Sequence, residues 1–191
     1  STIAGGVCTG IGIGPTAIDG VWGISKAYAT RVGAGPFPTK LASNGKDAKG
    51  DRLRELGAEF GATTGRPRDC GWLDLPALRY AARLSGMTGL AITKLDVLAA
   101  LRDVEVCIAY EDGIDPGEHG LARAVPRLQR CPDWDDPAVL PKLRAARTLD
   151  ALPPVARAYL DMIAESTGVP VVLVSVGASR EETIALRQPF D

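Results

Sequence analysis

Three apolar runs constrain this chain more than anything else in it. They are Leu90–Ile92 in GLAIT, VEVCIAY over Val104–Tyr110, and VPVVLVSV over Val169–Val176. Runs of this kind suit strands buried in a parallel sheet, and the second has strong β-propensity. Helix-like stretches alternate with them. Leu73–Leu84 repeats apolar residues at Leu73, Leu75, Leu78, Ala81 and Leu84 and stops at Gly86. Thr93-Lys94-Leu95-Asp96 follows the first run directly, and Val97–Leu101 can start a helix. Pro153 and Pro154 open a helix through Ala164 that puts Ala156, Tyr159, Leu160 and Ile163 on one face, and Gly168 closes it. This alternation predicts an α/β fold: part of a mainly parallel β-sheet flanked by helices, with long irregular loops. A length of 191 residues suits one large domain or two small ones.

The remainder reads as follows. Residues 1–15 carry Gly5, Gly6, Gly10, Gly12 and Gly14, which fits either a phosphate held on backbone N–H groups or a tight structural turn. No Gly-Lys-Ser/Thr follows, so the pattern is not that of a Walker loop. Pro15 to Thr30 is predicted to be a helix, with Ile18, Val21, Trp22 and Ile24 to Tyr28 lining one face. Arg31 to Leu41 is a loop by its glycines and prolines, flanked by Arg31 and Lys40. Residues 42–56 read as a surface insertion ending in a short helix. Asp69 is a candidate acid near the start of the helix that follows. Residues 111–150 read as loops with a short helix near Val139–Arg147.

Charge and cysteine usage limit the function classes. Lys plus Arg number 22 and Asp plus Glu 23, a balance that argues against nucleic acid or an anionic membrane as the main partner. No apolar run reaches bilayer-spanning length and no signal segment opens the chain, so a cytoplasmic setting is expected. Cys8, Cys70, Cys107 and Cys131 are scattered without a C-x-x-C pair and read as reduced, packed thiols. The one histidine, His119, leaves no His-based metal site and argues against a histidine-based triad.

Two short constellations carry chemistry. The first is Gly61–Arg68, GATTGRPR. Its glycines permit close backbone approach, Thr63 and Thr64 supply hydroxyls, and Arg66 and Arg68 carry forks that match a carboxylate or phosphate. Pro67 stiffens the spacing between them. The loop is either a receptor for a small anion or an exposed turn with two solvated arginines. The second is Thr93-Lys94-Leu95-Asp96 at the end of the first apolar run. A carboxylate there could accept from both N1–H and the N2 amino group of guanine, which adenine cannot match, and the Lys94 stem could cover the base. The alternative is an exposed lysine and a helix-capping aspartate. Loops separated by one helix and one strand emerge on the same edge of an α/β sheet, so the two constellations are expected to be neighbours. Without a phosphate-binding lysine loop or a placed histidine, they look like half of an active site.

Four runs together are more specific: GVWGISKAYATRVGAGPFPTKL, EFGATTGRPRDCGWLDLPALRYA, GLAITKLDVL and VSVGASREETI. In order and spacing they closely resemble the adenylosuccinate synthetase family, and the resemblance is weakest at 42–56 and 111–150. It implies a ligase of purine biosynthesis that joins IMP to L-aspartate through 6-phosphoryl-IMP, with GTP converted to GDP and phosphate and Mg2+ required. It implies further that Thr63, Thr64, Arg66 and Arg68 hold the aspartate carboxylates, that Arg66 also reaches the IMP ribose, and that the Val32 backbone helps hold IMP. Lys94 and Asp96 resemble the guanine-recognition pair, and Ser175 and Gly177 the strand end beside the guanine ring. Ala178 stands where the family usually has proline, which puts the packing of that face of the base in question. Thr2 resembles an IMP-phosphate ligand, although Ile3 departs from the pattern. The expectation is that residues 1–191 correspond to the C-terminal portion of such an enzyme. The family's phosphate loop, catalytic aspartate and histidine would then lie elsewhere, with no catalytic or metal residue in this chain. The full-length enzyme is expected to be a homodimer. The alternative is an inactive remnant that binds guanine nucleotide or dicarboxylate.

Overall fold

Strand β5 (Gly89–Thr93), made from the first apolar run, is central to the computed structural model, which describes residues 3–45, 48–113, 116 and 120–187. It pairs in parallel with β1 (Trp22–Lys26) on one side and with β8 (Val171–Ser175) on the other, and β9 (Thr183–Ala185) closes that side antiparallel to β8. Four of its five residues are buried, as expected of a strand covered on both faces. A second sheet joins β4 (Leu73–Asp74) in parallel to β6 (Glu105–Tyr110), and β6 antiparallel to β7 (Pro126–Arg130). A third pairing is antiparallel, between β2 (Ala29–Arg31) and β3 (Asp69–Gly71).

The helices are α1 (Gly5–Ile11), α2 (Lys49–Leu56), α3 (Leu75–Ser85), α4 (Leu95–Leu101), α5 (Val139–Ala145) and α6 (Pro154–Thr167). Both α3 and α6 end on a glycine in the left-handed region, Gly86 at φ 59° and Gly168 at φ 70°, where a side chain would be strained. Helix α3 packs on α6 and β6, and α4 on α2 and α5. The core includes Leu90, Ile92, Leu95, Leu98, Val106, Ile163 and Val174. Trp134 meets Tyr159 edge to face at 5.7 Å, and the Tyr159 hydroxyl donates to the Ala27 carbonyl at 2.8 Å.

The α/β fold with mainly parallel strands stands as expected, and several local expectations do not. Pro15–Thr30 is no helix: a single 3-10 turn at Pro15–Ala17 leads into β1 and β2. Sequence distance explains the error, because β1 is held by β5, more than sixty residues on. Gly23 also packs there, since a Cβ would meet Met87 Sδ at 2.2 Å. The glycine-rich start forms α1 rather than a turn, with none of its residues buried. Residues 111–150 contain β7 as well as α5. The acid that starts α3 is Asp74, which accepts from the Ala77 N–H at 3.0 Å, and Asp69 lies on β3 instead. Leu84, expected on the apolar face of α3, is 52% exposed. Cys70, Cys107 and Cys131 are buried free thiols, each pushed up to about 11, chiefly by burial, and Cys8 is a half-buried free thiol.

Candidate functional site

The carboxyl ends of three neighbouring parallel strands define one edge: Lys26 ends β1, Thr93 ends β5 opposite it, and Ser175 ends β8. Ligands of open α/β sheets bind at such an edge. The sequence-predicted residues fall around it.

The loop Gly61–Arg68 is a closed hairpin turn. Phe60 and Pro67 form an antiparallel bridge, the Gly61 N–H donates to the Arg66 carbonyl at 2.8 Å, and the Gly65 N–H donates to the Gly61 carbonyl at 2.8 Å. Gly65 sits at φ 63°, which a side chain would resist. Thr63, Thr64 and Arg66 stand exposed at the tip. Arg68 is less exposed, and its guanidinium donates to Glu59 Oε2 at 2.9 Å. The ladder between β2 and β3 sets Arg31 against Asp69 at 2.9 Å, so the exposed Val32 follows a strand tied to the exit of this loop. Lys40 meets the same Asp69 at 2.9 Å, and these two cations hold its carboxyl below the usual range.

Across the edge, Lys94 caps α4 in the left-handed region at φ 63°. That uncommon backbone turns its side chain back, and its ammonium donates to the Gly57 carbonyl and stands 3.3 Å from Glu59 Oε1. Asp96 lies in the first turn of α4, with its carboxylate 3.3 Å from the Arg144 guanidinium. At the end of β8, the Ser175 hydroxyl donates to the Gly177 carbonyl at 2.7 Å. A Cβ at Gly177 would lie 2.2 Å from the Glu182 carboxyl carbon, so a side chain there would have to displace that carboxylate. Glu182 accepts from the Ser179 N–H at 2.9 Å, and that bond, with help from Arg147 and Arg144, holds its carboxyl low. Ala178 is exposed beside it. Thr2 and His119 lie outside the described residues.

Glu59 connects these parts, and sequence reasoning missed it. Its side chain is 1% exposed and accepts three hydrogen bonds, from Lys26 at 2.7 Å and Arg68 at 2.9 Å on Oε2 and from the Tyr28 hydroxyl at 2.6 Å on Oε1, with the Lys94 ammonium as an ion-pair partner 3.3 Å from Oε1. Burial pushes its carboxyl up. Hydrogen bonds from Lys26 and Tyr28, with the charges of Lys26 and Lys94, outweigh that and hold it at about 2. Tyr28 reaches it only because residue 57 is glycine, since a Cβ there would stand 2.2 Å from the Tyr28 hydroxyl. Lys26, Tyr28 and Arg144 were missed too: the first two are hidden inside the misread helix, and the third belongs to a helix with no motif.

Among the described residues no group of three or more His, Cys, Asp or Glu side chains gathers to hold a metal ion. No helix among them is long and apolar enough to cross a membrane.

Fold and edge together define an open α/β protein with a candidate ligand site at the carboxyl ends of its parallel strands. Comparison with known proteins narrows this. The family model described as adenylosuccinate synthetase matches residues 1–184. Adenylosuccinate synthetase of Myxococcus xanthus is 52% identical over 194 residues, which cover 98% of this chain and 42% of that protein. The Sorangium cellulosum protein of the same name is 50% identical, with 100% and 43% covered. The solved structure of fully ligated adenylosuccinate synthetase from Plasmodium falciparum superposes with a TM-score of 0.83 at 34% identity, covering 96% of this chain and 44% of that one. This chain belongs to the adenylosuccinate synthetase family. It spans less than half the length of the relatives it matches.

Proposed function

We propose that this chain provides the aspartate- and guanine-binding part of a purine-biosynthetic ligase that joins IMP and L-aspartate at the expense of GTP. Support comes above all from one adjacency: Arg68 of the anion loop and Lys94 of the base segment lie within reach of a single carboxylate. Thr63, Thr64, Arg66 and Arg68 hold the two carboxylates of aspartate, with the Arg66 fork extended to the IMP ribose and the Val32 backbone alongside IMP. Asp96, oriented by Arg144, accepts from the guanine N1–H and N2 amino group. The Lys94 stem lies over the base, and Ser175 and Gly177 form the far wall.

In the reaction, the GTP γ-phosphoryl passes to O6 of IMP, leaving GDP. The aspartate amine then attacks C6 and phosphate departs. The residues of this chain bind and orient for both steps. Deprotonation of IMP and stabilisation of the transferring phosphoryl require groups beyond those placed here. A coupled assay tests this: adenylosuccinate formation from IMP, GTP, aspartate and magnesium, by the chain alone and mixed with the N-terminal portion of a relative. Product is expected only from the mixture, and Arg66→Leu should raise the aspartate requirement at least tenfold with GDP binding retained. Turnover by the chain alone, or aspartate saturation unmoved by Arg66→Leu, would reject the division of labour.

A further inference from the structure

Three cations, Lys26, Arg68 and Lys94, surround the one buried carboxylate of Glu59, and they come from three separate segments of the chain. Lys26 ends β1, Arg68 ends the anion loop and Lys94 begins α4. Their side chains are 25%, 31% and 36% exposed, so each reaches from the buried carboxylate toward solvent at the same edge. Within this cluster one carboxylate faces three cations, an excess of positive charge suited to an anionic ligand. Arg68 gives Glu59 one nitrogen, which leaves the rest of its fork for a ligand. Gly57 supports the group twice, by its carbonyl under Lys94 and by its missing side chain beside Tyr28.

We propose that Glu59 is the positioning residue of both half-sites. Its carboxylate holds Arg68 toward the dicarboxylate and Lys94 toward the guanine base at once, so that one buried counter-ion sets the geometry of the two. The proposal rests on reading these loops as dicarboxylate and guanine sites. Glu59 touches no ligand in this scheme and acts only through the cations it holds. Glu59→Gln keeps the shape but removes the charge, so the three cations repel one another and turn outward.

The test is calorimetric titration of the 191-residue chain with GDP and, separately, with L-aspartate, alongside thermal melting. Glu59→Gln is expected to weaken both ligands at least tenfold. In a double-mutant cycle, Lys94→Met, which weakens GDP in the parent, should change it less than twofold in the Glu59→Gln background. Because Glu59 also stabilises the fold, a lower melting point is expected in either case, and a merely structural role would be marked by additivity of the two substitutions. Where Glu59→Gln does not fold, Glu59→Asp decides: it keeps the charge but draws it back by one methylene, and should bind GDP several-fold more weakly than the parent. Loss of one ligand alone, additive effects, or parent-like binding by the variant that folds would overturn the proposal with the site reading intact. A parent chain that does not bind both ligands would overturn the site reading itself, and this proposal with it.

Discussion

Asp96 and Glu59 are both carboxylates at one sheet edge, yet their surroundings give them different tasks. Asp96 forms an ion pair with Arg144 and remains partly open to solvent. Its replacement by asparagine substitutes an amide donor for an acceptor that the guanine donors need. Asp96→Asn should weaken GDP binding by about 1–3 kcal/mol and leave ADP unaffected, and equal GDP affinity in variant and parent would remove Asp96 from the pocket. Glu59 is a stability group as well. Its carboxyl falls from an ordinary 4.5 to about 2 on folding, so the folded state binds fewer protons than the unfolded state across that interval. The contribution is therefore complete above pH 4.5 and is lost as the pH falls toward 2. It amounts to on the order of 3 kcal/mol. Urea unfolding over this range should show the parent losing stability faster than Glu59→Gln, and parallel curves would refute the linkage. Sequence reasoning reached Lys94 and Asp96 because they end an apolar run within four residues. It could not reach Glu59, whose partners lie 33, 31, 9 and 35 positions away, at Lys26, Tyr28, Arg68 and Lys94. The one local signal was its place between Gly57 and Gly61, ahead of the loop.

At the scale of elements, what was legible had a local cause. Helices α3 and α6 carry a proline in their first turn and a glycine at the end, and β5 and β8 come from short apolar runs, Leu90–Ile92 and Val169–Val176. Strand β1 was misread because Val21, Trp22 and Ile24 fit a helical stripe equally well until β5 is alongside. Strand β7, PRLQR, has an exposed, mostly polar surface and no apolar alternation to announce it. Strands β3, β4 and β9 are two or three residues long, too short for any period to register. The junction of β4 and α3 shows how much one residue can carry between elements. Asp74 caps α3 through the Ala77 N–H and accepts from the Tyr110 hydroxyl of β6 at 2.7 Å. Burial pushes its carboxyl up, against those two bonds. Asp74→Ala loses the cap and strands a buried hydroxyl, at a cost of about 1–3 kcal/mol. Asp74→Asn keeps an acceptor for the cap and should cost about half as much. Urea midpoints of the two variants measure this, and an alanine variant no less stable than the asparagine one would contradict the capping role.

Taken whole, the molecule leaves residues 3–13 poorly buried. None of α1 is buried, and Ile3, Val7, Ile11 and Ile13 are 43%, 49%, 67% and 37% exposed. Beside them in the chain, β1 pairs on one side only among the described residues, and its Ile24 is 81% exposed. An unpaired strand edge with apolar side chains is a template for another chain, because its free N–H and C=O groups and its uncovered surface are satisfied together by pairing. The chain should accordingly self-associate in a concentration-dependent way, with sedimentation velocity showing species heavier than 20.0 kDa in the micromolar range. Ile24→Lys places a charge on that strand without disturbing the core. It should shift the distribution toward monomer and leave the melting point of the dilute protein within about 1 °C of the parent, as expected of a surface change. A parent that stays monomeric at every concentration would show that the exposed edge is blunted by its own twist and short length. A variant that associates as the parent does would move the contact to the apolar side chains of residues 3–13. The same surface bears on the proposed division of labour. If complementation by a relative's N-terminal portion restores turnover, it should also dissolve the self-association, because both events would compete for the same uncovered face.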